Sequence, residues 1–191
     1  MNPSTEDILH AAEQVPAMDV YVLPNNKNIV MAAEQAARLA RTSGLRRIHV
    51  VPTTTIPQGI SAMMAYDESA EIKDNVEAMQ EAASRVQSGS VTFAARDSDY
   101  DGHQIKEGEL LALENGKVAF TGTDLGSVTA KVAKDLMRED SQFITLLYGA
   151  DVSEEQAADV EEAVRSLLPE EVELTVAYGG QPVYYFLISV E

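Results

Sequence analysis

The chain has 191 residues, 45% of them hydrophobic, enough to bury a core without disulfides or metal, and no apolar run approaches the length that spans a bilayer. There is no cysteine, which excludes a disulfide framework, thiol catalysis and cysteine-ligated zinc. Thirty-one acidic residues against 14 basic ones give a net charge of −17, a surface that repels phosphate backbones and anionic lipid, so neither nucleic acid nor membrane is an expected partner. The start, Met1-Asn2-Pro3-Ser4-Thr5-Glu6-Asp7, has neither the basic residues nor the apolar stretch of a signal peptide, and a cytoplasmic location is the expectation.

Ser4 caps an expected helix through about Gln14, with Glu6 and Asp7 suited to its positive end. Residues 19–23 form an apolar strand stopped by Pro24. Asn25-Asn26 then open a helix in which Ile29, Ala33, Ala36 and Ala40 recur on one face, and Thr42-Ser43-Gly44 end it. A second strand, 47–51, is again stopped by proline, Pro52. Strand, helix, strand in this order predicts a right-handed parallel unit. Residues 53–59 read as a loop, 60–65 as the start of a helix, and 71–86 as a helix with Ile72, Val76, Met79 and Ala83 on its buried side.

Ser88-Gly89 marks a change of pattern. A strand is expected at 90–95, then a hairpin with Leu110-Leu111-Ala112-Leu113 and Lys117-Val118-Ala119-Phe120 around an Asn115-Gly116 turn. A helix over 124–137 and a strand over 143–148 follow. Ser153, with Gln156 completing a capping box, opens a helix to Leu168. Two last strands, 172–176 and 183–188, are joined by Gly179-Gly180-Gln181-Pro182 as a turn. The fold class is therefore α/β: a parallel βαβ N-terminal lobe, residues 1–88, followed by an α+β lobe with hairpins and a mixed or antiparallel sheet, residues 89–191.

Both early strands deliver a polar loop into a helix, and parallel neighbours put those loops on one edge of the sheet, where ligands bind in open α/β folds. The first loop supplies Asn25, Asn26, Lys27 and Asn28; the second supplies Thr54, Thr55 and Gln58. Either helix capping and turn chemistry or a functional surface accounts for such residues singly; two loops on one edge favour the surface. Asp97, Asp99 and Asp101 are spaced like the start of an EF-hand, but no helix precedes them and Gly108 stands where a bidentate glutamate is required. A loop held by Arg96 to a carboxylate is expected instead of a calcium site. His10, His49 and His103 are scattered, and His49 reads as packed within its strand. There is no Walker loop, nucleophile elbow or dinucleotide fingerprint, so no cofactor and no catalytic residue are expected in this chain. After Asp151 the only basic residue is Arg165 among many acids, read either as solubility or as a steering face for a basic partner.

Pro24-Asn25-Asn26-Lys27-Asn28, Thr55-Ile56-Pro57-Gln58-Gly59, Arg96-Asp97, Asp101-Gly102 and Gly179-Gly180-Gln181-Pro182-Val183-Tyr184, in this order, resemble one family: the C-terminal region of the ATP-binding subunit of bacterial fatty acid kinase, a dihydroxyacetone-kinase-like protein. The resemblance runs along nearly the whole chain. It implies a division of labour in which ATP and magnesium sit on a separate N-terminal kinase domain of the same polypeptide. A DegV-like carrier protein brings the fatty acid, and this region engages that carrier in support of acyl phosphate formation. A homodimer is a further expectation. The rival reading is a dihydroxyacetone-kinase-like domain that binds a small carbonyl or carboxylate substrate directly. None of the three histidines matches the substrate-linking histidine of that family, and the role is not carried over.

Overall fold

Alternating burial along the first strands dictates how the N-terminal half is layered. The computed structural model describes residues 2–44, 46–100 and 103–191, without the side chains of Tyr100 and His103. It divides into two units, Met1–Arg85 and Val86–Glu191. The N-terminal unit runs α1 (Thr5–Gln14), β1 (Asp19–Val22), α2 (Lys27–Ser43), β2 (Arg47–Val50), α3 (Ile56–Met64) and α4 (Ile72–Arg85). β1 and β2 pair in parallel, with Val20 opposite Ile48 and Tyr21 opposite His49. Successive side chains of a strand point to opposite faces. On one face Val20 and Ile48 pack with Ile8 and Ala12 of α1 and the alanine side of α2, Ala33, Ala36 and Ala40. On the other, Tyr21, Leu23 and Val51 meet Ala62 of α3 with Met79 and Ala83 of α4. The two strands are thus sandwiched between two helical layers, as the run of apolar residues in each requires.

Helix starts in this unit are set by side-chain caps. Ser4 accepts from the Asp7 N–H while Asp7 accepts from the Ser4 N–H, closing a capping box. α3 begins at Ile56, four residues earlier than expected: Thr55 caps it and Pro57 occupies its first turn, where a missing N–H costs nothing. On α4 the buried positions are Asn75, Met79 and Ala83, whereas Ile72 and Val76 are only half-buried. Asn75 is satisfied there by the chain entering the helix: its side-chain oxygen accepts from Asp67 N–H at 2.8 Å and its amide donates to the Asp67 carbonyl at 2.7 Å.

The C-terminal unit contains β3 (Gln87–Phe93), β4 (Ser98–Tyr100), β5 (His103–Ile105), β6 (Leu110–Glu114), β7 (Lys117–Gly122), α5 (Leu125–Leu136), β8 (Phe143–Tyr148), α6 (Glu154–Arg165), β9 (Glu173–Tyr178) and β10 (Phe186–Val190). Its main sheet has the order β7-β6-β3-β10-β8-β9. All neighbours are antiparallel except β8 and β9. The β6–β7 hairpin turns on Asn115 and Gly116, at φ 48° and 78°, as a two-residue Asn-Gly turn does. Phe186, Ile188 and Val190 form the centre of the core, with Val91, Ala112, Ile144 and Leu146 beside them and Val132, Val160 and Val164 of α5 and α6 above.

Three expectations are corrected here. The last two strands do not form a hairpin across 179–182. β10 lies between β3 and β8, and β9 pairs in parallel with β8 at the sheet's edge. Burial explains the placement: every residue of β10 is buried, which demands neighbours on both sides, whereas β9 alternates like an edge strand. Ser88 and Gly89 do not interrupt β3 but lie within it. A Cβ on Gly89 would sit 2.5 Å from Val132 Cγ1 and 2.9 Å from Leu136 Cδ1, so this glycine lets α5 approach the strand rather than ending it. The acidic stretch is a short hairpin, β4–β5, rather than a loop. Flanking it, Asp97 accepts from the Glu107 N–H at 2.7 Å, a closure that a backbone donor makes. Asp101 and Gly102 lie outside the described residues.

The centre of the sheet gives the first prediction. Phe186 is fully buried. Phe186→Ala is expected to lower the unfolding free energy by about 3–5 kcal/mol, read from the urea midpoint at unchanged slope; a loss below about 1 kcal/mol contradicts β10 as the core strand.

Candidate interaction site

The parallel pairing of β1 and β2 brings the two polar loops together, as expected. Beyond the strands Val51 N–H donates to the Val22 carbonyl at 3.0 Å, and the buried Thr53 hydroxyl donates to the Pro24 carbonyl at 2.6 Å. That hydroxyl ties the start of the second loop to the start of the first.

Within the loops the polar side chains divide into two groups. Asn26 caps α2, its Oδ1 accepting from Asn28 N–H at 2.9 Å. Gln58 reaches back so that its Oε1 accepts from the Thr54 N–H at 2.8 Å and the Thr54 hydroxyl at 3.0 Å, while Thr55 Oγ1 accepts from Gln58 N–H. These four residues shape the two helix starts. Asn25, Lys27 and Asn28 are exposed, and Lys27 is the one cation that the two loops contain. Arg96 belongs to the other unit, exposed ahead of β4.

An apolar feature that the sequence reading missed adjoins this edge. α3 begins at the second loop and exposes Ile56, Ile60, Met63 and Met64, the last at 83%. Their spacing of i, i+4, i+7 and i+8 places them along one helical stripe, while Pro57 and Ala62 are buried. The signal is present in Ile56-Pro57-Gln58-Gly59-Ile60, but it becomes a stripe only once the helix starts at Ile56. Unbranched methionines on an open face pack against surfaces of varied shape.

At the opposite end of the strand pair Asp19 bridges both strands. Arg47 Nε donates to Asp19 Oδ1 at 2.8 Å, and His49 Nε2 lies 2.8 Å from the same oxygen. His49 is packed, its ring 5.4 Å from that of Tyr21, whose ring meets Tyr66 edge-on at 5.5 Å. Arg47 first, and His49 second, hold the Asp19 carboxyl below the ordinary carboxylate range. His10 is exposed, with Gln14 at 2.9 Å. The side chain of His103 lies outside the described residues.

Fold and edge together define an α/β protein of two units, the first built on a parallel strand pair and the second on a mixed sheet. The family model for the C-terminal part of FakA-like fatty acid kinase subunits matches residues 1–191. The chain belongs to that family. Protein YloV of Bacillus subtilis is 40% identical over all 191 residues, and SH1689 of Staphylococcus haemolyticus 41%. The chain spans about a third of the length of these relatives, 34% of each. Among solved structures, the dihydroxyacetone kinase of C. freundii, in complex with AMP-PNP and Mg2+, superposes with a TM-score of 0.72 at 15% identity, over 98% of this chain and 41% of that one. A DegV family protein of Ruminococcus gnavus with vaccenic acid gives 0.67 at 13% identity, over 100% and 77%. A fatty-acid-binding DegV protein of Thermus thermophilus gives 0.57 at 16%, over 98% and 77%. These likenesses establish the fold. Among the described residues no helix is long and apolar enough to cross a membrane.

The Asp19 bridge carries a pH signature. A carboxyl whose folded pKa is depressed contributes stability that is fully present above its unfolded pKa and is lost as pH falls through the folded one. Asp19→Asn is therefore expected to melt below wild type at pH 7, with the gap closing as pH drops below about 4. Melting curves of both proteins across that range are the check; a gap independent of pH contradicts an ionised bridge.

Proposed function

We propose that this chain is the module of a fatty acid kinase that docks the fatty-acid carrier, a DegV-family protein, and thereby supports ATP-dependent formation of acyl phosphate. The observation that carries the reading is the exposed apolar stripe of α3 running out from the edge where the two polar loops meet. A broad, exposed face with a pre-organised polar border suits a protein partner, whereas a small substrate requires a concave pocket with convergent polar groups. Gln58 and Thr54, which a small carbonyl or carboxylate ligand would have to recruit, are already bonded to each other. Family membership supports the kinase context, and the fatty acid bound by DegV relatives of this fold supports the carrier. On this reading ATP and magnesium are held by an N-terminal domain of the same polypeptide, within the two-thirds of the relatives that this chain does not span.

In the docked complex Ile60 and Met63 supply buried apolar anchors, and Lys27 lies at the border. The acids of α6, among them Glu161 and Glu162, add long-range attraction to a basic partner that salt screens. Binding of a loaded DegV-family carrier, measured by calorimetry, separates these roles. Ile60→Asp is expected to cost about 2 kcal/mol or more as an interface anchor, and Lys27→Ala about 0–1 kcal/mol as an exposed ion-pair partner, both with wild-type melting. If Ile60→Asp and Lys27→Ala bind like wild type while charge reversal at Glu161 and Glu162 abolishes binding, the interface lies on α6 instead. The isolated chain with ATP, magnesium and loaded carrier is expected to yield no acyl phosphate; turnover above a mock preparation rejects the module reading.

A further inference from the structure

Two grooves open along β1 in the N-terminal unit. The first, about 390 Å3, is bounded by Ala11 of α1, by Val15 just past its end, and by Val20, Tyr21, Val22 and Leu23. The second, about 420 Å3, shares Ile8, Val22 and Leu23 with it and ends at Pro24 and Asn25. Val20, Tyr21 and Val22 of the strand alternate between faces, so a groove that touches all three runs along the edge of the strand rather than over one face.

That edge is unpaired. Among the described residues β1 pairs with β2 alone. Arg47 and Val51 donate to the carbonyls of Met18 and Val22, so the even-numbered positions of β1 bond to β2. In such a ladder the positions between them, Tyr21 above all, turn their N–H and C=O to the open side. Unpaired strand edges are templates for another strand. The walls of the first groove are mainly apolar, the second adds Asn2 and Asn25, and the one charged residue lining either groove, among the described residues, is Asp7. Ser4, through its N–H and then its hydroxyl, keeps that carboxylate ionised by lowering its pKa.

We infer that the β1 edge and the α1 wall form a docking groove for an extended segment of a protein partner, bearing apolar side chains and a basic residue that meets Asp7. An added strand supplies the backbone donors and acceptors that Tyr21 lacks, and its alternate side chains fill the groove between β1 and α1. A fatty acyl chain fits less well: it leaves the Tyr21 backbone groups unpaired, and its carboxylate would face Asp7. The surplus of acids over bases in the chain favours a basic partner in the same sense. The groove lies on α1 and β1, apart from the α3 stripe, and does not depend on what docks there.

The test titrates the isotope-labelled chain with a capped peptide of alternating valine and threonine carrying one lysine, followed by amide resonances. Shifts confined to residues 7–15 and 19–23, with slowed solvent exchange of the Tyr21 amide, are expected. N-methylation of the peptide along one edge, and separately Ala11→Arg with unchanged melting, should each weaken binding about tenfold, the loss of a few backbone hydrogen bonds or of groove space. Absence of shifts along β1 at millimolar peptide overturns the inference. So does equal binding of the N-methylated peptide, and so does laurate shifting these amides where the peptide does not. Because no carrier is present and Ala11→Arg leaves Lys27 and Ile60 intact, either outcome is read separately from carrier binding.

Discussion

The parallel pair β1–β2 is only four residues long in each strand, and most of what can be said about function hangs on it. Two short strands have no independent stability in water. They persist here because both faces are covered: α1 and α2 bury Val20 and Ile48, while α3 and α4 bury the other side beneath Tyr21 and Val51. Asp19 closes one end by binding Arg47 and His49 on the neighbouring strand, and Thr53 closes the other by donating to Pro24. With both ends tied, the two loops cannot drift apart, and the start of α3 is carried to a fixed place beside the start of α2.

The C-terminal unit rests on a different constraint. β10 is buried along its whole length, so it must enter between two strands already bound to helices. The approach is prepared by irregular backbone. Val183 has φ 73°, a conformation that β-branched residues rarely adopt, and its carbonyl accepts from the Thr92 hydroxyl at 2.7 Å. Gln181 donates to the Leu147 carbonyl, and its own carbonyl accepts from Ala150 N–H. Gly149 is pressed so closely by the carbonyls of Gln181 and Tyr184 that no Cβ would fit. The segment expected as a simple turn is therefore a pinned crossing. Val183 ends up outside the strand because its backbone cannot extend.

Local signals were legible wherever one residue determined one bond. The cap at Ser4, the capping box at Ser153, the alanine face of α2 and the Asn115-Gly116 turn all follow from side-chain chemistry within a few residues. Partnership over distance was not legible. The alternation that fits β9 to an edge and the continuous burial of β10 resolve only when neighbours are known, because an apolar run states that a strand is buried and not by what. Gly89 misled for the same reason: a glycine that breaks a pattern and a glycine that admits a packed helix look alike in a sequence.

The polar loops show why the edge they form was half readable. Asparagine, threonine and glutamine after a strand are chosen both by helices that need caps and by surfaces that need recognition groups. Asn26, Thr54, Thr55 and Gln58 turn out to spend their hydrogen bonds on the helix starts, so their presence alone never distinguished the two demands. Exposed apolar side chains answer to only one of them. A helix start gains nothing from Ile60, Met63 and Met64 facing water, and burial elsewhere in the chain has not claimed them. Hydrogen bonding thus accounts for where the edge is and how rigidly it is held. The unburied stripe beside it is the part that neither hydrogen bonding nor core packing within the described residues requires.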